Sequence, residues 1–129
     1  MINARAESLT EKPAFKHLVG SRRCIIPADG FYEWRKQGKR KVPIWVYLTS
    51  RQPFGLAGLW DVWRKPDGGK VESFTIITTE PNELVRPVHN RMPVILPPKT
   101  KSNGLTLLEH LSLSQITVEA LSRRADGCA

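Results

Sequence analysis

A chain of 129 residues, 40% hydrophobic and 25% charged, fits one globular domain and excludes a disordered or fibrous protein. No run approaches the roughly 18 consecutive apolar residues of a membrane span, and no basic-then-apolar opening suggests a secretory signal, so a cytoplasmic protein without membrane contact is expected. The net charge of +8 is uneven: residues 1–50 hold ten Lys or Arg against four Asp or Glu, residues 51–100 seven against five, and residues 101–129 three of each. A positive field focused on the first half of a chain favours polyanions, nucleic acid first. A solvated basic face accounts for the charge alone equally well.

In chain order, residues 7–19 predict a short helix with Leu9, Phe15, Leu18 and Val19 as its apolar positions. Pro13 falls near its first turn and Gly20 is its stop. Residues 22–27 predict a strand ended by Pro27. The Asp29-Gly30 turn leads into a strand over Phe31-Tyr32-Glu33-Trp34. Residues 35–41 predict a basic hairpin loop centred on Gly38. Strands are expected over 42–48 and 54–60. Pro66-Asp67-Gly68-Gly69 is a turn, and 73–79 is the clearest strand.

Thr79 is expected to cap a short helix over 81–85, and 93–96 is a last strand. Ser112 with Gln115 suggests a capping box, and Ile116, Ala120 and Leu121 an apolar stripe, so one or two helices are expected over 105–124. Residues 1–98 then form one domain and 99–129 a divergent helical tail. The order of elements predicts an α+β fold: a largely antiparallel, barrel-like sheet with flanking helices.

Several residues invite a chemical reading. Glu33 lies between aromatic residues on a strand, where apolar surroundings raise a carboxyl pKa. His89 sits in a polar turn bracketed by Pro87 and Pro93, and histidine suits proton transfer near neutral pH. Arg91 offers a bidentate group for a phosphate oxygen. Asn3 and Arg5 project to one side of an extended segment. For Glu33 and His89 a solvent-facing strand glutamate and a loop histidine are the simpler readings from local sequence. Trp34, Trp45, Trp60 and Trp63 are stacking candidates, with at most one or two expected to be exposed. Cys24 opens an apolar strand and is expected to be an inert buried thiol. Cys24 and Cys128 lack metal-type spacing, as do His17, His89 and His110, so neither metal nor cofactor is expected.

Five strings in order change these weights. Asn3-Ala-Arg-Ala-Glu7, Arg22-Arg-Cys-Ile-Ile-Pro-Ala-Asp-Gly-Phe-Tyr-Glu-Trp34, Ala57-Gly-Leu-Trp60, Phe74-Thr-Ile-Ile-Thr-Thr79 and His89-Asn-Arg-Met-Pro-Val-Ile-Leu96 together resemble the SOS response-associated peptidase (SRAP) family over about residues 3–96. The resemblance implies action on abasic sites in single-stranded DNA, in the cytoplasm at the nucleoid, by a monomer that needs no metal. In that family an N-terminal cysteine captures the ring-opened sugar aldehyde as a thiazolidine, a DNA–protein crosslink. Its peptidase activity is self-processing that exposes this cysteine.

Residue by residue, the resemblance implies that Asn3 positions the cysteine and that Arg5 and Arg91 grip DNA phosphates. It implies that Glu33 assists ring opening and that His89 shuttles protons. Asn90 departs from the family, which usually has Asp there. The opening Met1-Ile2-Asn3 falls where the family is well into its domain, so a copy unable to crosslink is expected. A non-catalytic single-stranded DNA-binding module is the alternative.

Overall fold

The computed structural model describes residues 3–96 and, as backbone, residues 116–120. Its elements are β1 (Asn3–Arg5), a 3-10 turn (Ala6–Ser8), α1 (Pro13–Val19), β2 (Arg23–Ala28), β3 (Phe31–Gln37), β4 (Arg40–Leu48), β5 (Phe54–Arg64), β6 (Lys70–Thr79), β7 (Met92–Pro93), β8 (Ile95–Leu96) and β9 (Ile116–Ala120). The fold is α+β and mostly strand, as the order of elements implied. Two sheets form a half-barrel. The larger has six strands along the path β1-β6-β5-β2, with β7 on β6 and β8 on β5; the smaller runs β3-β4-β9. Only β1 with β6 is parallel among these pairs.

The apolar pattern explains which sheet lies where. Strand β5 opens with a nearly unbroken apolar run, Phe54 to Leu59, because the larger sheet is covered on both faces there. On one face Ala57, Leu59, Ile77, Val94 and Leu96 pack against Leu9, Phe15 and Leu18 of the helical segment. On the other, Phe54, Leu56 and Ile95 meet Ile44, Val46 and Leu48 of β4, the loop residues Val85 and Val88, and Met92 of β7. Strand β3 instead alternates half-buried and exposed residues, which is the mark of a sheet covered on one face.

Residues 92–96 act as a wedge. Strands β5 and β6 pair from Arg64↔Lys70 down to Gly58↔Ile76 and then part. Into the gap goes β7, paired to Thr78 and Thr79, and β8, paired to Gly55 and Leu56. Val94 joins them: its N–H donates to the Ile77 carbonyl (2.9 Å), and its carbonyl accepts from the Ala57 N–H (3.0 Å). The expected strand over 93–96 is therefore two short ones.

Other expectations need correction. The helix begins at Pro13, not at residue 7. Proline lacks an N–H and its ring clashes with the carbonyl four residues back, so it starts a helix well but interrupts one; Lys12 before it is extended. Pro27 does not end its strand, because β2 lies at the end of the sheet path, where a missing N–H is tolerated. The basic loop over 35–41 is mostly strand, and its turn is Gly38-Lys39, with Gly38 at φ +62. No helix forms over 81–85. Pro87 limits the segment, and Asn82 rather than Thr79 starts its turns, its Oδ1 accepting from the Val85 N–H at 3.0 Å.

The largest correction is at the C-terminal end. Residues 116–120, expected to be helical, form β9 and pair antiparallel with β4 from Ile44↔Ala120 to Leu48↔Ile116. Ile116-Thr117-Val118 is a β-branched run, and such residues fit a pleated sheet better than a helix. The remainder of the expected helices over 105–124 lies outside the described residues.

Gly30 turns the chain from β2 into β3 beneath the indole of Trp45, where a Cβ would lie 2.3 Å from Cζ2. Gly30→Ala is expected to lower stability by about 1–3 kcal/mol through overpacking, read as the midpoint of denaturant unfolding. An unchanged midpoint would show that Trp45 has another place to go.

Candidate active site

Glu33 is placed by the smaller sheet. It pairs with Ile44, one of the most deeply buried residues, so its side chain lies on the face that lines the inter-sheet core. It sits toward the rim of that core, with its side chain 21% exposed. Burial raises the carboxyl pKa; the nearby His89 and the Trp34 backbone N–H oppose that rise. The result is a carboxyl that holds its proton more tightly than an ordinary glutamate.

His89 is placed by the loop from β6 to β7. Val85 is fully buried and anchors that loop. The Val85 carbonyl accepts from the N–H of Val88 (2.8 Å) and from that of His89 (3.0 Å), closing the turn under the imidazole. His89 Nδ1 then lies 3.7 Å from Glu33 Oε2. The same nitrogen is 3.2 Å from the Arg91 N–H and 3.1 Å from the Arg91 carbonyl. When bare it accepts from the N–H; when protonated it donates to the carbonyl. In the second state the lone pair of Nε2 is free, and Nε2 has no hydrogen-bond partner among the described residues.

Arg91 is not a free cation. Its Nη1 and Nη2 donate to the two oxygens of Glu7 at 3.2 and 2.9 Å, and Nη2 also donates to the Thr78 carbonyl at 2.9 Å. Only 16% of the side chain is exposed. The Arg91 guanidinium beside Glu7 holds that carboxyl below the usual range, with a smaller contribution from Arg5. Asn3 and Arg5 lie on the exposed side of β1, with Ala4 between them facing the core.

The structure thus joins Glu33 to His89 and Arg91 to Glu7, while Arg5 acts on the Glu7 carboxylate only through its charge. No described contact ties Asn3 or Arg5 directly to the Glu33–His89 pair. Sequence reasoning missed Glu7 as the partner of Arg91. The available signal was the period-two run Asn3, Arg5, Glu7, which continues the exposed side of β1 into the next turn.

Three tryptophans rather than one or two are exposed: Trp34 (55%), Trp60 (40%) and Trp63 (60%). Trp45 packs against Tyr32, ring centroids 4.5 Å apart, and Trp60 lies under the Arg22 guanidinium. Cys24 is partly rather than fully buried, and that burial raises its thiol pKa, which disfavours the nucleophilic thiolate. An apolar cavity of about 180 Å³ lined by Leu9, Val19, Arg23, Ala57, Gly58, Leu59 and Ile77 lies on the helical side of the larger sheet, away from the acid–imidazole pair. No group of three or more metal-ligating side chains occurs among the described residues, and no described helix is long and apolar enough to cross a membrane.

These features define a class: a two-sheet α+β domain with a carboxyl–imidazole pair at the rim of its core. The model of the family described as SOS response associated peptidase (SRAP) matches residues 1–124, and the chain belongs to that family. It is 50% identical over 106 residues to the abasic site processing protein YoqW of Bacillus subtilis, covering 81% of this chain and 47% of that protein. It is 34% identical over 113 residues to the abasic site processing protein HMCES of Xenopus tropicalis, covering 73% of this chain and 34% of the relative. A crystal structure of a Bacteroides thetaiotaomicron protein superposes with a TM-score of 0.84 at 31% identity, over 94% of this chain and 58% of that one. The chain therefore spans about half the length of the Bacillus relative. The family match runs through β9.

The raised Glu33 pKa has a consequence for stability. A carboxyl whose folded pKa exceeds its unfolded value, about 4.3, stabilises the fold below that value and loses the contribution as pH rises through the folded pKa. Glu33→Gln removes the loss. The unfolding midpoint of E33Q relative to wild type is expected to rise as pH climbs from about 4 through the folded pKa of Glu33 and then to level off, measured by denaturant titration. A difference that is flat or falling over that range would contradict the assigned environment.

Proposed function

We propose that this chain is an abasic-site-processing domain that acts on single-stranded DNA, with Glu33 and His89 as its proton-transfer pair. The observation that carries this reading is the half-buried Glu33 carboxyl held 3.7 Å from His89 in a strongly basic chain of a family whose curated relatives are named for abasic-site processing. An abasic sugar is a cyclic hemiacetal and must open to its aldehyde before an amine can capture it. Protonated Glu33 gives its proton to the ring oxygen as the C1′–O4′ bond breaks. Nε2 of His89, with Nδ1 donating to the Arg91 carbonyl, takes the proton of the C1′ hydroxyl. The products are the C1′ aldehyde and a C4′ hydroxyl, and the enzyme is left with a carboxylate facing an imidazolium. The reverse transfer resets the pair.

Arg5 and Asn3 present a cation and an amide on the exposed side of β1, where they orient the DNA strand and the capturing group. Arg91 reaches a phosphate only if the phosphate displaces Glu7, since both its terminal nitrogens already serve that carboxylate. A binding module without chemistry is the competing reading, favoured by the exposed Tyr32 and Trp34 as stacking surfaces beside many cations.

The test is aldehyde formation on an abasic single-stranded oligonucleotide, followed by trapping with an aminooxy probe. Wild-type protein is expected to accelerate trapping, and Glu33→Gln and His89→Ala each to lose about 100-fold of that acceleration with little loss of binding. Equal rates for all three proteins, with binding retained, would leave only the binding module. Failure to prefer single-stranded over duplex DNA would remove both readings.

A further inference from the structure

The hairpin of β3 and β4 carries Arg35, Lys36, Lys39, Arg40 and Lys41, five of the chain's 20 Lys and Arg. None of these five forms an ion pair among the described residues. Lys36 and Lys41 stand directly opposite each other across the strands, a repulsive arrangement. The hairpin of β5 and β6 differs. There Arg64, Lys65 and Lys70 are balanced by Asp61, Asp67 and Glu72, with Lys70 paired to Glu72 and Asp61 to Arg22. Of the two hairpins, only the arm that also carries Glu33 holds cations in excess of acids.

Strand alternation sorts these cations by face. Glu33, Arg35 and Gln37 lie opposite Ile44, Val42 and Arg40, and Ile44 and Val42 belong to the inter-sheet core. Arg35 and Arg40 therefore share the face of Glu33, while Lys36 and Lys41 share the other face with Tyr32 and Trp34. Two residues of strand advance about 7 Å. Arg35 stands about 7 Å from Glu33 along β3, and Arg40, opposite Gln37, about 14 Å. That step is comparable with the phosphate-to-phosphate reach of an extended nucleotide chain, and a guanidinium can hold a phosphate through two hydrogen bonds.

We propose that Arg35 and Arg40 form a phosphate track that leads away from the Glu33–His89 pair and holds two successive phosphates on one side of the abasic sugar. The track rests on the reading of that pair as an abasic-site centre in single-stranded DNA, and it gives the bound strand a direction along β3. Lys36, Lys39 and Lys41 supply a general positive field from the far face and the tip.

The experiment measures affinity for a single-stranded oligonucleotide that carries a tetrahydrofuran abasic analogue, which cannot react, across a range of salt concentrations. For the double variant R35Q/R40Q the salt exponent is expected to fall by about 1.4, about 0.7 for each phosphate lost. Shortening the oligonucleotide on the tracked side should weaken wild type but not this variant. R35K/R40K should keep most of the exponent, which separates lost phosphate contacts from a damaged fold. The control K36Q/K41Q removes the same charge from the opposite face and should change the exponent by less than half as much. Equal changes for the two glutamine pairs, or equal sensitivity to shortening in R35Q/R40Q and wild type, would overturn the track while leaving the abasic-site reading intact. No binding of wild type to the oligonucleotide would overturn both.

Discussion

The pairing of Glu33 with Ile44 is the constraint on which the site depends. It places a carboxyl on the inward face of a strand whose neighbours belong to the core, so the group cannot be fully hydrated. A carboxylate in that position is unfavourable unless something compensates, and the compensation on offer is partial: one backbone N–H and a nearby imidazole. The fold thereby holds the pKa of this carboxyl above that of an exposed glutamate. The imidazole arrives from a different part of the chain. It is held there because Val85 and Val88 are buried in the same core that buries Ile44. One hydrophobic cluster thus sets both halves of the pair, and packing that moves either half changes the proton chemistry.

A second constraint ties the start of the chain to the loop before β7. Arg91 bonds Glu7 with both terminal nitrogens and also reaches the Thr78 carbonyl, so it links the turn after β1, the end of β6 and the His89 loop. Exposed ion pairs contribute little, but this guanidinium is mostly buried and its geometry is bidentate, so it acts as a clamp on three segments at once. The same residue was expected to grip phosphate. Both uses draw on the same donors, and the clamp is the one formed in the structure. Arg5, on the exposed side of β1, is the freer of the two cations.

Strands β2 to β6 were legible because their signals are local. Alternation in β3, the apolar run of β5 and the Pro66-Asp67-Gly68-Gly69 turn act within a few residues. Boundaries were less legible wherever a partner strand extended an element: β3 and β4 run on to Gln37 and Arg40 because each completes the other's ladder, although their sequence there is basic and polar. Residues 116–120 failed for a related reason. A spaced apolar stripe suits a helix as well as a strand, and the deciding fact is the free edge of β4, some 70 residues earlier in the chain. Glu33 and His89 could not be recognised as partners from spacing, because the 3.7 Å between them is made by two sheets folding over one core. Family resemblance supplied the roles proposed for them. It did not supply the partnership of Arg91 with Glu7, which depends on atoms rather than motif order.

Proton transfer and polyanion binding make opposite demands on a protein. A general acid of raised pKa needs low hydration and few cations nearby, since a cation at close range would pull the proton off. A nucleic-acid strand needs many cations that remain hydrated and accessible. On the proposed reading, strand β3 meets both demands by distance. Glu33 lies where the strand joins the core, and the causes acting on its pKa include no lysine or arginine. The cations begin two residues later, as the same strand leaves the core for solvent. A cation moved inward to the position of Phe31, which packs against the core beside Glu33, would strengthen attraction for polyanions and at the same time lower the carboxyl pKa on which the proposed role of Glu33 depends. The separation along a single strand is what allows one hairpin to hold both an acid and a charged arm.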